Sequence, residues 1–168
     1  MQRRTLLKLG LASGAVLALA GGAAVLLRPG LEQGRLAPAA RPLFVSLGRA
    51  ILQGTLPAEP GPQARALDGL VERVDALAQN LPLPVQAELS ELVGLLCTAP
   101  GRRLLAGLAP GWEEARPEEV RAALDGMRFS ALALRQQAYQ ALHEIVGGAY
   151  FSEESTWKVL GYPGPLAL

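Results

Sequence analysis

Residues 63–80 read Gln63-Ala64-Arg65-Ala66-Leu67-Asp68-Gly69-Leu70-Val71-Glu72-Arg73-Val74-Asp75-Ala76-Leu77-Ala78-Gln79-Asn80. Leu67, Leu70, Val71, Val74 and Leu77 recur at the three- and four-residue spacing that lines one face of an α-helix. Arg65, Asp68, Glu72, Arg73 and Asp75 fall mostly on the opposite face. The stretch is therefore an amphipathic helix whose apolar stripe needs other helices to cover it. Leu and Ala, which dominate it, are strong helix formers. The same two residues supply most of the apolar half of the whole chain, while aromatic residues make up 5%. The composition selects an all-α fold.

Working outward, prolines and glycines cut the chain into further helices. Toward the N-terminus, Pro57, Pro60, Gly61 and Pro62 separate residues 63–80 from an apolar helix beginning at Pro42 and running through Leu52. Toward the C-terminus, Leu81-Pro82-Leu83-Pro84 precedes a helix over residues 85–98. A short helix covers residues 102–108 and stops at Pro110-Gly111. Pro117-Glu118-Glu119 opens another helix, with proline first and acids in the first turn, where the helix dipole favours them. It continues to Met127. The longest helix spans residues 130–146 and is ended by Gly147-Gly148. Ser152 caps a last short helix through Val159. Gly161-Tyr162-Pro163-Gly164-Pro165 forms a non-helical tail. The expectation is a small irregular bundle of six or seven helices over residues 42–168, preceded by a linker over residues 28–41 that holds Pro29, Gly30, Gly34 and Pro38.

Residues 1–27 have a different character. Residues 2–8 read Gln-Arg-Arg-Thr-Leu-Leu-Lys. Arg3, Arg4, Leu7 and Lys8 match the twin-arginine export pattern Ser/Thr-Arg-Arg-x-Phe-Leu-Lys, with Leu6 keeping the apolar character of its phenylalanine. An uncharged stretch rich in Gly and Ala follows, from Leu9 to Leu27. As a helix it would be about 28 Å long, enough to cross a bilayer. It reads as an export signal or an uncut signal-anchor, with its basic end inside and the body on the periplasmic side of the cytoplasmic membrane. Ala18-Leu19-Ala20 offers a small-x-small cleavage site, but it lies inside the apolar stretch, so cleavage stays open.

The remaining charge is weakly acidic. Residues 1–28 hold four basic residues and no acid, which leaves twelve basic against fifteen acidic residues in the rest of the chain. Nucleic acid needs a basic footprint and is not an expected partner. Cys97 is the single cysteine, so neither an internal disulfide nor a cysteine-based metal site can form; its apolar surroundings read as a small buried hydrophobe. His143 is the single histidine, which excludes a bis-histidine haem. No phosphate-cradling glycine loop, haem attachment motif or Ser-His-Asp set is present. The acid pairs Glu113-Glu114, Glu118-Glu119 and Glu153-Glu154 stand near helix starts, where the dipole accounts for them. The chain reads as a non-catalytic one without a metal or cofactor of its own.

The C-terminal half adds a resemblance. Pro100-Gly101-Arg102, Trp112, Arg128-Phe129-Ser130, Arg135, Tyr150 and the ending Trp157-x-x-x-Gly161-Tyr162-Pro163-Gly164-Pro165 resemble the small, signal-bearing subunit of periplasmic flavin-dependent dehydrogenases. Gluconate 2-dehydrogenase subunit 3 and the small subunit of bacterial flavin glucose dehydrogenase are of that kind. The likeness runs over residues 40–168, and the ending is its most specific part. It implies that the flavin sits in a large partner subunit, which oxidises a sugar, sugar acid or alcohol. It implies that this chain accompanies that subunit through twin-arginine export and aids its maturation, and that a cytochrome subunit often takes the electrons. On this reading Tyr150, Trp157, Gly161, Tyr162, Pro163, Gly164 and Pro165 form a partner-docking element, since aromatic side chains anchor interfaces and prolines limit the entropy lost on binding; the rival is that Tyr150 and Trp157 are core and the tail folds back over its own bundle. The alternative is a free-standing, membrane-anchored periplasmic protein with a structural or ligand-binding role.

Overall fold

The computed structural model describes residues 28–162. The export motif Arg3, Arg4, Leu7 and Lys8, and the tail residues Pro163, Gly164 and Pro165, lie outside them. The described chain is mostly helical. Helix α1 spans Arg41–Ile51, α2 Pro60–Gln79 and α3 Leu83–Cys97. A helical turn, Ala99–Gly101, runs into a π-helical turn, Arg102–Ala106. Helix α4 spans Pro117–Arg128 and α5 Ala133–Phe151, and a 3₁₀ helix covers Glu154–Leu160.

Helix α1 is the centre of the bundle. Leu43, Phe44, Leu47 and Ala50 are buried, and so are Ser46 and Gly48 between them. A helix covered on nearly every side must lie inside the layer of its neighbours, and α1 packs against α2, α4 and α5. It approaches α2 closely because Gly48 has no side chain. A β-carbon there would stand 2.6 Å from Cδ2 of Leu70 and 2.8 Å from Cδ2 of Leu67. The ring closes through α2 on α5 and α5 on α4. Leu67, Leu70, Val71 and Val74 of α2 are buried as the periodicity requires, and Val120, Leu124 and Met127 of α4 meet Leu142 and Val146 of α5 in the same core.

Residues 28–41 are not a linker. They form a tight hairpin, with β1 (Leu31–Glu32) paired antiparallel to β2 (Arg35–Leu36), followed by a 3₁₀ turn over Pro38–Ala40. Leu31, Leu36, Ala37 and Ala40 are buried. Gly30 lies against α3 through main-chain contact: its N–H donates to the Ser90 carbonyl at 3.0 Å, and a β-carbon on it would stand 2.6 Å from the Gly94 nitrogen. The Pro and Gly content that suggested a spacer instead serves a turn and a close approach. Asp75 is the other departure. It belongs to the core rather than to the polar face of α2, because its carboxylate receives the Leu36 N–H and the Arg41 guanidinium, both at 2.7 Å.

Two C-terminal boundaries also differ from the sequence reading. Gly147 and Gly148 do not end the longest helix, which continues to Phe151 because Ala149 and Tyr150 are buried against the bundle. Buried contacts outweigh the roughly 1 kcal/mol that each glycine costs a helix. Ser152 therefore closes α5, its hydroxyl donating to the Ala149 carbonyl at 2.9 Å, rather than capping the next helix.

Candidate functional site

The C-terminal aromatics separate into two groups. Tyr150 is 4% exposed and belongs to the chain's own core. Its hydroxyl donates to the Thr55 carbonyl at 3.3 Å, and the Arg73 guanidinium lies 5.9 Å from its ring centroid. The Arg73 side chain is held there by a 2.8 Å bond to the Ala149 carbonyl. A ring so covered cannot itself anchor a partner, which corrects its inclusion in the docking element. Trp157 and Tyr162 are different. The Trp157 indole N–H donates to the Phe151 carbonyl at 2.7 Å, which ties the 3₁₀ helix back onto α5. Its ring meets that of Tyr162 at a centroid distance of 5.5 Å. Gly161, at φ 72°, makes the left-handed turn that brings Tyr162 back over Trp157. Tyr162 remains 49% exposed, and Val159 and Leu160 beside it are exposed too. Of the residues expected to dock a partner, the structure thus brings Trp157, Gly161 and Tyr162 together, beside these two exposed aliphatic neighbours.

The other residues that carry the resemblance gather at a distinct end of the bundle, although 35 positions separate Pro100 from Arg135. A β-carbon on Gly101 would stand 2.1 Å from the Leu95 carbonyl oxygen, so only glycine lets the π-helical turn fold against α3. Arg102 is buried. One of its Nη groups donates to the Ala109 carbonyl at 3.3 Å, and its Nε has no partner. Trp112 is also buried, its indole N–H donating to the Leu96 carbonyl at 2.8 Å, while its own carbonyl accepts the Ser46 hydroxyl. Arg135 of α5 donates from Nε to the Leu105 carbonyl at 2.8 Å. Arg128 lies 5.1 Å from the ring centroid of Phe129. Sequence reasoning identified these residues as a pattern but assigned them no surface; the exposure of Leu104, Phe129 and Leu132 was the signal it lacked.

The remaining reactive groups stand apart. His143 is on the outer face of α5 beside Tyr139, ring centroids 5.5 Å apart. The Cys97 thiol is half-buried and donates to the Ala39 carbonyl at 3.4 Å. Burial pushes it above the usual thiol range, and the nearby Arg102 charge partly opposes that shift. Among the described residues, no three His, Cys, Asp or Glu side chains lie together in a way that could hold a metal ion. No described helix is long and apolar enough to cross a membrane. No protein-family model, curated protein or solved structure matches the chain.

Proposed function

We propose that the chain is a non-catalytic accessory subunit, which carries a large flavin-dependent dehydrogenase lacking its own signal through twin-arginine export and aids its maturation or assembly. The observation that carries this reading is the pairing, in one chain, of Arg3-Arg4 and Lys8 ahead of an uncharged stretch with the Trp157-x-x-x-Gly161-Tyr162-Pro163-Gly164-Pro165 ending. The twin-arginine route moves folded cargo. A small helical body has no need of that route for itself, whereas a partner that must fold around flavin in the cytoplasm does. The contact between half-buried Trp157 and exposed Tyr162 supports the reading further: two aromatic rings fixed against each other are a low-entropy anchor for a partner surface.

The test is export of the pair. Arg3→Lys together with Arg4→Lys keeps the charge but removes the guanidinium pair that the receptor reads. The expected result is that both this chain and a flavoprotein stay in the cytoplasm, whereas the unaltered chain brings both to the periplasmic side. Normal export of the flavoprotein in cells that lack this chain would refute the escort role.

A further inference from the structure

Three large apolar side chains stand in solvent at the end of the bundle opposite in character to its acidic body. Leu104 is 79% exposed, Phe129 75% and Leu132 62%. They come from three elements: the π-helical turn, the end of α4 and the start of α5. Arg135 ties these elements together. Its Nε is bonded to the Leu105 carbonyl, and its Nη2 lies over Gly107 and Gly126, where β-carbons would stand 3.3 and 3.7 Å away. Gly107 also turns the chain at φ 74°. The Arg135 fork is therefore fixed in place, and its Nη edge is not used in an ion pair.

This end carries more positive than negative charge. The ion pairs among the described residues are Arg41–Asp75, Arg116–Glu119 and Arg121–Glu118. Arg103, Arg128 and Arg135 take part in none of them, and Asp125, the acid in the last turns of α4, stands exposed and unpaired. Exposed apolar groups beside oriented guanidinium groups are the composition of an interface centre. A held guanidinium matches a carboxylate by two parallel hydrogen bonds. A bilayer headgroup region requires no such fixed fork, which favours a protein occupant.

We infer that Leu104, Phe129 and Leu132, with Arg103, Arg128 and Arg135, form a second docking surface, and that it takes a segment of the large flavin subunit in which carboxylates flank apolar side chains. The identity of that partner rests on the function proposed above; the position and chemistry of the surface rest on the exposure and charge just described. The two docking regions divide the work. Trp157 and Tyr162 offer aromatic area, while the arginine end fixes orientation through charge.

The experiment is immunoprecipitation of the full-length chain from its own cells, with bound flavin read by fluorescence after denaturation and the flavoprotein identified by mass. Three variants are compared: Arg103→Glu with Arg128→Glu, Phe129→Ser alone, and a control of equal charge change elsewhere, Arg35→Glu with Arg65→Glu. All five positions are exposed, and a thermal melt of each variant checks the fold. The expected result is a loss of about tenfold in bound flavin for the first two variants, with the control near the unaltered level. Wild-type capture by both the double variant and Phe129→Ser would overturn this surface and leave the escort reading standing. Absence of any flavoprotein with the unaltered chain would overturn both. Loss of binding to phosphatidylglycerol vesicles with flavin capture unchanged would assign the surface to lipid and overturn the inference.

Discussion

The Asp75 carboxylate on α2 accepts the Leu36 backbone N–H at 2.7 Å from 39 positions away, and so fastens the N-terminal hairpin to the bundle. Its second oxygen receives Arg41 at 2.7 Å, which places the start of α1 by the same group. Removal of the carboxylate leaves a buried N–H without an acceptor. Asp75→Ala is expected to destabilise the body by about 3 kcal/mol. Asp75→Asn, which keeps an acceptor for Leu36, is expected to cost less. Chemical denaturation of both variants measures the difference; equal costs would show that the hairpin bond contributes little.

Gly101 tests the packing of the π-helical turn. A β-carbon at this position would penetrate the Leu95 carbonyl, at 2.1 Å, and backbone on both sides must shift to relieve it. Gly101→Ala is expected to cost about 3 kcal/mol, the upper end of overpacking. The readout is a denaturation midpoint, with near-UV circular dichroism of buried Trp112 reporting the local rearrangement. An unchanged midpoint would contradict the close approach.

Tyr150 separates core from interface. Its hydroxyl makes one long bond, at 3.3 Å, whereas its ring is buried under Arg73. Tyr150→Phe is expected to change stability by less than about 1 kcal/mol, and Tyr150→Ala to cost about 3–5 kcal/mol. Tyr150→Phe should leave capture of a flavin subunit as it was. A partner-binding defect in a fully stable Tyr150→Phe protein would return this residue to the interface.

The Trp157–Tyr162 pair makes the opposite forecast. Tyr162 is exposed, and the 3₁₀ helix is tied back to α5 through the Trp157 indole. Deletion of residues 161–168 is expected to leave the bundle folded, with a melting temperature lowered by no more than a few degrees, and to weaken capture of the flavin subunit about tenfold. Unchanged capture would remove the tail from the docking element. A collapsed melt would make it part of the core.

Cys97 has a pH signature. Burial raises its thiol above the usual range, so less thiolate is present at any given pH than on a free cysteine. Alkylation by iodoacetamide is expected to be slow at pH 8, and its rate to go on rising with pH where that of a free cysteine has levelled off. The same shift favours the folded state while the thiol is protonated, and that contribution is lost as pH rises through the folded value. Fast labelling at neutral pH would contradict the burial.

The residues that were legible in the sequence are those whose role is local. Leu67, Leu70, Val71 and Val74 share one face of a helix by spacing alone, and Pro117-Glu118-Glu119 begins one by dihedral restriction and dipole. Those features settled an all-α body and most helix boundaries. The tertiary structure decided the rest, because the determining contacts join residues far apart in the chain. Asp75 has the spacing of a surface residue until Leu36 is brought to it. Residues 28–41 have a spacer's composition until Gly30 meets Gly94. Gly147-Gly148 reads as a stop until the burial of Ala149 and Tyr150 outweighs the glycines. Arg135 gains its meaning in the same way, from a carbonyl thirty residues earlier and two glycines on separate elements, since local propensities are worth tenths of a kcal/mol to about one, and burial of a large side chain is worth several times that.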